Sequence, residues 1–219
     1  MIAKNLINAE VPPLKISDSG TKALNWMAEF HLRELPVIND RQFVGMLNEY
    51  DVLDMEDPSL SVETVFPKGR SPLFSLAYEH LYEVVRKMQD RQQQSLAVVD
   101  EEGEYLGVIT QDSVLSFLAG TNAFQDPGAV LVLELKSRDY SMAEIARHVE
   151  ENNAAILASY IYEEEDRLTV TLKLNVNELN AIVATFERFD YKVKASYRDD
   201  EEPDLLKERF DALLNYLNI

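Results

Sequence analysis

Residues 96–113 read LAVVDEEGEYLGVITQDS, which is two short apolar runs joined by an acidic turn. Residues 35–51 read LPVINDRQFVGMLNEYD and follow the same plan earlier in the chain. An offset of 61 residues aligns the starts of the two stretches, and after one inserted residue an offset of 62 aligns Gly45 with Gly107. Matching apolar positions at a fixed offset indicate an internal repeat.

Each copy predicts the same order of elements: an extended piece, an amphipathic helix, two strands joined by a turn, and a closing helix. In the second copy Leu81, Val84, Val85 and Met88 recur at i, i+3, i+4 and i+7, which is the spacing of one helix face. Leu24, Met27 and Ala28 have the matching spacing in the first copy. The predicted extended pieces are 14–16 and 73–76, the predicted strands are 35–38, 43–47, 96–99 and 105–109, and the closing helices start near Asn48 and Thr110.

This repeat resembles the CBS domain, a module that nearly always occurs as a tandem pair. The resemblance covers about residues 1–120, with copy one at about 1–58 and copy two at about 59–120. It rests on LPVIND before the first turn and on GMLNEYD and GVITQDS after the two turns, which correspond to the family's h-P-V-V-D stretch and G-h-h-T-x-x-D signature. The match depends on three features together: the presence of two copies, the order of the elements in each copy and the spacing of the signature residues.

The resemblance also implies candidate ligand residues. In nucleotide-binding CBS pairs the signature Thr and nearby backbone N–H groups meet phosphate, and the Asp three residues later accepts both ribose hydroxyls. Copy one keeps Asp51 but has Asn48 in place of Thr, whereas copy two keeps Thr110 but has Ser113 in place of Asp. A short hydroxyl cannot accept from both ribose hydroxyls, so the first signature is the better candidate. Arg33 is a candidate cation, as are Lys68 and Arg70 between the copies.

A purely structural interpretation of the same residues stays open. Asn and Thr are both good helix N-caps, and an acidic residue in the first turn of a helix is favourable without any ligand. Asn48, Thr110 and Asp51 therefore fit helix capping as well as nucleotide binding.

The second half predicts a β-α-β-β-α-β order, which is the ferredoxin-like plan. Strict alternation marks its strands, and Ser141 with Glu144 forms a possible capping box before the first helix. After a CBS pair, residues 129–199 look like an ACT-like domain, and the combination is similar to stand-alone acetoin-utilisation-type CBS–ACT proteins. That likeness implies amino-acid binding near Arg138 and Asp139, although Tyr140 stands where the family has Gly.

Four further local features are expected in the second half of the chain. They are a linker at 119–128, an acidic turn at 163–166, a second helix capped by Asn175 or Asn177, and a C-terminal amphipathic helix at 203–219.

The composition of the chain argues against several classes of function and partner. The chain has 219 residues, a formal net charge of −18 and no Cys. That charge argues against nucleic acid and anionic membrane surfaces as partners, and the lack of Cys excludes disulfides and thiolate chemistry. No apolar run is long enough to span a membrane and no signal-peptide pattern opens the chain, so we expect a cytoplasmic protein.

We expect no enzymatic activity and no metal, because no nucleophile–base pair or metal motif is present. Glu144 and His148 share a helix face and are expected to form a surface pair, His31 to lie at the core edge, and His80 to sit near a helix start. Two functions remain. One is a homodimeric regulatory sensor that needs no cofactor and binds AMP, ADP, ATP or S-adenosylmethionine between the CBS copies. The other is a ligand-free scaffold for dimerisation and partner docking.

Overall fold

The computed structural model describes residues 1–66, 72–164 and 166–198. Its contacts divide the chain into two units, Met1–Leu118 and Ala119–Ile219, and each is described by itself below. The expected C-terminal helix at 203–219 and the candidate cations Lys68 and Arg70 lie outside the described residues.

The first unit contains two copies of one topology, as the repeat predicts. In each copy a short strand pairs parallel with a second strand, which forms an antiparallel hairpin with the third. The first copy consists of β1 (Leu14–Lys15), α1 (Gly20–Phe30), β2 (Glu34–Asn39), β3 (Gln42–Asn48) and α2 (Glu49–Leu53). The second copy consists of β4 (Phe74–Leu76), α3 (Leu81–Arg91), β5 (Ser95–Val99), β6 (Tyr105–Thr110) and α4 (Gln111–Ala119).

Polar caps set the limits of the long helix in each copy. The Ser19 hydroxyl accepts the Lys22 N–H at the start of α1, and the His80 ring accepts the Tyr82 N–H at the start of α3. Both helices end at a residue with positive φ, His31 and Gln92. His31 is therefore an exposed helix terminator, and its expected place at the core edge is wrong.

The predicted apolar face of α3 is only partly buried. Leu81, Val84 and Met88 are buried, whereas the side chain of Val85 is 42% exposed. In α1 Met27 is buried, Leu24 is half-buried and Ala28 is exposed.

The chain segments that lead into each copy pack on the opposite copy. Ile7, ahead of copy one, lies over Gly107 of copy two, and the Asn8 N–H donates to the Val108 carbonyl at 2.7 Å. Phe66, ahead of copy two, lies over Gly45 of copy one. A Cβ at either glycine would come within 2.7 Å of the covering side chain, so both signature positions need Gly.

The second unit is a four-stranded antiparallel sheet with two longer helices and one short helix. The strand order across the sheet is β10 (Lys192–Tyr197), β7 (Val130–Lys136), β9 (Arg167–Leu174) and β8 (Ile156–Glu164). This order and the β-α-β-β-α-β sequence of elements give the predicted ferredoxin-like plan. Alternate sheet residues such as Leu133 and Leu172 pack with Ile145 and Phe186 of the helices in one core. The elements are α5 (Asn122–Gln125), β7 (Val130–Lys136), α6 (Met142–Glu150), β8 (Ile156–Glu164), β9 (Arg167–Leu174), α7 (Asn180–Arg188) and β10 (Lys192–Tyr197).

Two local expectations in this unit are wrong. Helix α7 starts after Leu179, not at Asn175 or Asn177, because the buried Leu179 anchors the preceding turn and the Asn175 side chain instead accepts the Ala155 N–H at 2.7 Å. Strand β8 runs through Glu163 and Glu164, which were expected in the turn, because both pair with β9. The expected linker at 119–128 contains the short helix α5.

The expected surface pair of Glu144 and His148 is also wrong. His148 is buried, stacked on Phe189 at a centroid distance of 4.2 Å, with Phe186 and Tyr191 around it. The nearest carboxylate to its ring is that of Glu151, at 3.6 Å. A helix pattern places Glu144 and His148 on one face but cannot show that the loop after α7 covers that face.

Candidate functional site

Both signature sequences fold into the same turn, in which a strand ends and a helix begins. In copy one the Asn48 backbone N–H donates to the Asp51 carboxylate at 3.3 Å, and Asn48 is the N-cap of α2. In copy two the Thr110 N–H donates to the Ser113 hydroxyl at 3.0 Å, and the Ser113 N–H donates back to the Thr110 hydroxyl at 3.2 Å. Each pair of candidate ligand residues therefore forms a reciprocal cap.

After capping, the two copies differ in the hydrogen-bonding groups that remain available to a ligand. In the described part of the chain the Asp51 carboxylate accepts one hydrogen bond through Oδ2, so lone pairs remain on both of its oxygens. The Ser113 hydroxyl also donates to the Thr110 carbonyl at 2.9 Å, so its proton is already used. Asp112, beside it, is exposed.

The structure brings Arg33 to the first signature. Its carbonyl oxygen accepts the Glu49 N–H at 2.8 Å, which fixes Arg33 next to the first turn of α2. Its guanidinium makes no ion pair within 4 Å across the described ranges, and the side chain is exposed. In copy two the matching carbonyl belongs to Gln94, which accepts the Gln111 N–H at 2.9 Å. Only copy one therefore has a cation at this position.

Glu34 joins the two copies next to these turns. Its carboxylate is 3% exposed and accepts the backbone N–H groups of Gln94 at 2.6 Å and Ser95 at 2.7 Å. The Gln94 side chain in turn accepts the Arg33 N–H at 3.1 Å. Burial raises the pKa of Glu34 above its ordinary value, although the bonds from Ser95 and Gln94 oppose the shift.

The hairpins of the two copies meet at a second contact. The Phe43 N–H donates to the Gly103 carbonyl and the Tyr105 N–H donates to the Arg41 carbonyl, at 3.2 and 2.8 Å. The rings of Phe43 and Tyr105 stack at 6.5 Å, and burial raises the pKa of Tyr105. The pairing of equivalent residues, Phe43 with Tyr105, means that the copies face each other about a pseudo-twofold axis.

Five candidate residues therefore fall into two groups. Arg33, Asn48 and Asp51 come together at the start of α2, and Thr110 with Ser113 forms the matching turn at the start of α4. The first group combines a cation, backbone N–H groups and a carboxylate. The cation and the N–H groups suit an anionic group such as phosphate, and the carboxylate suits a sugar diol.

In the second unit a cavity of about 440 Å³ lies beside the turn that follows β7. Asp139 lines this cavity, whereas Arg138 does not; the two side chains pair with each other at 3.5 Å. Across the cavity Glu134 accepts from Arg167 and from Lys192, both at 2.7 Å, and these bonds, Lys192 foremost, lower the pKa of Glu134. Burial and the nearby Glu144 carboxylate raise the pKa of Tyr191, which donates weakly to Glu144.

The sequence analysis does not predict the role of Glu34, and it does not place Glu134 or Glu144 at a cavity. Glu134 is the one charged residue in the otherwise apolar run 130–135, which is a signal that the sequence carries. Glu34 gives no such signal, because its partners Gln94 and Ser95 lie about 60 positions away and backbone N–H donors have no sequence signature.

The described ranges contain no cluster of three or more His, Cys, Asp or Glu side chains that could hold a metal ion. None of the helices there combines the length and the apolar character needed to cross a bilayer.

Comparison with known proteins identifies the class of the second copy. The CBS domain family matches residues 71–120, which contain the second copy, and the first copy has the same topology. Inosine-5'-monophosphate dehydrogenase from Korarchaeum cryptofilum is 32% identical over 113 residues, which are 51% of this chain and 23% of that protein. The chain thus matches less than a quarter of the length of this curated relative.

Solved structures are similar to about half of this chain. A CBS domain pair/ACT domain protein from Thermotoga maritima is 24% identical with a TM-score of 0.49, covering 54% of this chain and 96% of that chain. The CBS domains of a transcriptional regulator from Streptococcus pneumoniae are 23% identical with a TM-score of 0.47, covering 53% of this chain and 98% of that chain.

Proposed function

We propose that the CBS pair binds an adenine nucleotide at the start of α2, and that the protein is a cytoplasmic regulator and not an enzyme. The observation that carries this proposal is the position of Arg33. Its backbone carbonyl accepts the Glu49 N–H, which places this basic residue next to the helix N-terminus that also carries Asn48 and Asp51, and its side chain is exposed. The match of residues 71–120 to the CBS family supports a ligand-sensing role.

Each residue has a distinct role in the proposed complex. The Asn48 side chain donates to phosphate together with the first-turn N–H groups of α2 other than that of Glu49, which donates to the Arg33 carbonyl. Arg33 supplies the positive charge. Asp51 accepts the ribose hydroxyls while keeping its bond from the Asn48 N–H. Thr110 offers a second phosphate contact at α4, but Ser113 cannot replace Asp51 there. The ligand class is AMP, ADP, ATP or S-adenosylmethionine, and no cofactor is needed.

Glu49 and Asp51 place negative charge close to the proposed phosphate position. We therefore expect AMP, with the smallest charge of the three nucleotides, to bind better than ATP without magnesium. Magnesium should reduce the difference, because the metal neutralises part of the polyphosphate charge.

Replacing Arg33 with Ala tests the site. We expect R33A to weaken AMP binding about tenfold, because a charge-assisted hydrogen bond is worth about 1.5–3 kcal/mol. The wild-type chain should bind in isothermal titration calorimetry at nucleotide concentrations up to about 1 mM.

The matched control is R91A, which removes the same charge from an exposed position at the end of α3. Equal weakening by both variants would assign the effect to net charge and count against the site. Absence of wild-type binding to all four compounds, with and without magnesium, would refute the nucleotide proposal.

A ligand-free scaffold is the second candidate function, and the two reciprocal caps favour it. All four signature side chains already have a structural use in capping. This alternative predicts a melting temperature that no nucleotide changes, whereas a ligand of the native state must raise it. Differential scanning calorimetry with each compound therefore separates the two functions.

The proposal extends to assembly and to the second unit. We infer a homodimer, which light scattering would refute by giving the mass of one chain at micromolar concentration.

We also infer that residues 129–199 form an ACT-like domain, as in acetoin-utilisation-type proteins. If that domain binds an amino acid, Asp139 contacts it directly from the cavity wall, and Arg138 acts only through its pair with Asp139.

A further inference from the structure

A buried carboxylate lies between the two signature turns. Glu34, the first residue of β2, pairs across its sheet with Asn48, the N-cap of α2. Ser95, the first residue of β5, pairs in the same way with Thr110. Directly opposed residues of two strands have Cβ atoms about 4.5–5.5 Å apart. The backbone of Glu34 is therefore beside the first turn, and its bonds to Gln94 and Ser95 carry the carboxylate to the second.

Only one oxygen of this carboxylate is used by the fold. Oε1 accepts the N–H groups of Gln94 and Ser95 and lies 3.3 Å from the Ser95 hydroxyl. Oε2 accepts no hydrogen bond from any residue that the structure describes, although Glu34 is only 3% exposed. Glu34 therefore keeps a free acceptor oxygen and a poorly solvated negative charge between the turns.

Gln94 connects this carboxylate to α4. Its N–H donates to Glu34, and its carbonyl oxygen accepts the Gln111 N–H at the start of that helix. The repeat aligns Glu34 with Ser95, so copy two has a neutral hydroxyl where copy one has a charge. A single carboxylate consequently lies between the N-termini of α2 and α4.

The segments that form the two turns carry far more negative than positive charge. They are 32–34, 48–51, 93–95 and 110–113. Arg33 is their one cation, and their four carboxylates belong to Glu34, Glu49, Asp51 and Asp112. One guanidinium can pair with one phosphate. A second or third phosphate that extends from α2 towards α4 meets Glu34 and gains no further cation from these segments, and like charges repel strongly where little water screens them.

We propose that Glu34 determines the ligand class of this site: its carboxylate repels the second and third phosphates, so that the CBS pair selects a nucleoside monophosphate over the di- and triphosphate. The inference rests on the nucleotide site proposed above and narrows its ligand. A monophosphate needs only Arg33, Asn48 and the available first-turn N–H groups, and it leaves the bonds from Glu34 to copy two in place.

A series of three nucleotides tests the inference on the wild-type, full-length chain. By isothermal titration calorimetry at pH 8 without magnesium, we expect the affinity to fall from AMP to ADP to ATP, with ATP about tenfold weaker than AMP. ADP or ATP binding as tightly as AMP would overturn the selection while leaving the nucleotide site intact. Absence of binding by all three would remove the site and the inference together.

Glu34→Gln isolates the charge, because the amide oxygen can still accept both N–H groups. The matched control is Glu101→Gln, at an exposed position in the turn after β5, about 16 Å along the strand from Ser95. We expect E34Q to raise the ratio of ATP affinity to AMP affinity about tenfold, and E101Q to leave it unchanged.

Circular dichroism confirms that both variants are folded. An unchanged ratio in folded E34Q, or an equal rise in E101Q, would overturn the assignment to Glu34 even if AMP binds. If E34Q does not fold, the wild-type series decides whether the site distinguishes one phosphate from two or three.

Discussion

Glu34→Ala will lower the free energy of unfolding by about 4 kcal/mol. The substitution leaves the buried N–H groups of Gln94 and Ser95 without an acceptor, and each such loss costs about 1–3 kcal/mol, to which a small cavity adds. Chemical denaturation followed by circular dichroism measures the change. A loss below about 1 kcal/mol would mean that the carboxylate does not hold the copies together.

Glu34→Gln separates the hydrogen bonds from the charge. The amide oxygen can still accept both N–H groups, while the charge that burial disfavours is absent. Because burial raises the pKa of Glu34, the folded protein holds the proton more tightly than the unfolded chain does. Its contribution to stability is present below the ordinary pKa of 4.5 and is lost as pH rises through the raised value.

We therefore expect the difference in melting temperature, E34Q minus wild type, to increase from pH 5 to pH 8. Scanning calorimetry at several pH values measures it. A difference that stays constant over this range would contradict the raised pKa, and a strongly destabilised E34Q would show that the charge itself is needed.

Gly107→Ala will destabilise the first unit by about 3 kcal/mol. The new Cβ would lie 2.3 Å from Cγ2 of Ile7, so the leading segment must move away from β6. Overpacking of a tight contact costs about 1–3 kcal/mol, and the backbone of Gly107, at a φ of 157°, is unfavourable for Ala.

Ile7→Ala provides the internal control. In that background the clash is removed and only the backbone strain at Gly107 remains. We therefore expect Gly107→Ala to cost about 1–2 kcal/mol less than in the wild type, and this difference is the coupling energy between the two sites. Additive losses in the double variant would mean that Ile7 does not cover Gly107. Gly45→Ala with a truncated Phe66 should behave in the same way in the first copy.

The sequence predicts the repeated elements well because their causes are local. Alternation and helical spacing place β2, β5 and α3, and a cap-forming residue at Asn48 or Thr110 marks the start of each closing helix. The same reasoning places Asn48 with Asp51 in one turn, because three residues of helix separate them.

Long-range contacts account for what the sequence does not predict. Glu34 looks like an ordinary residue at a strand start until the fold places Gln94 beside it. His148 looks like a surface residue until the turn carrying Phe189 covers it. The sequence indicates Arg33 by its charge and its place near a strand end, but its position at the start of α2 depends on a backbone bond to Glu49 that no pattern indicates.

A crystal structure of the full-length protein grown with AMP tests the central claim most directly. The account predicts AMP density at the start of α2, with phosphate near Arg33 and Asn48 and the ribose hydroxyls on Asp51. Density for AMP only at the start of α4, beside Thr110 and Ser113, or an unoccupied pair at millimolar AMP, would contradict it.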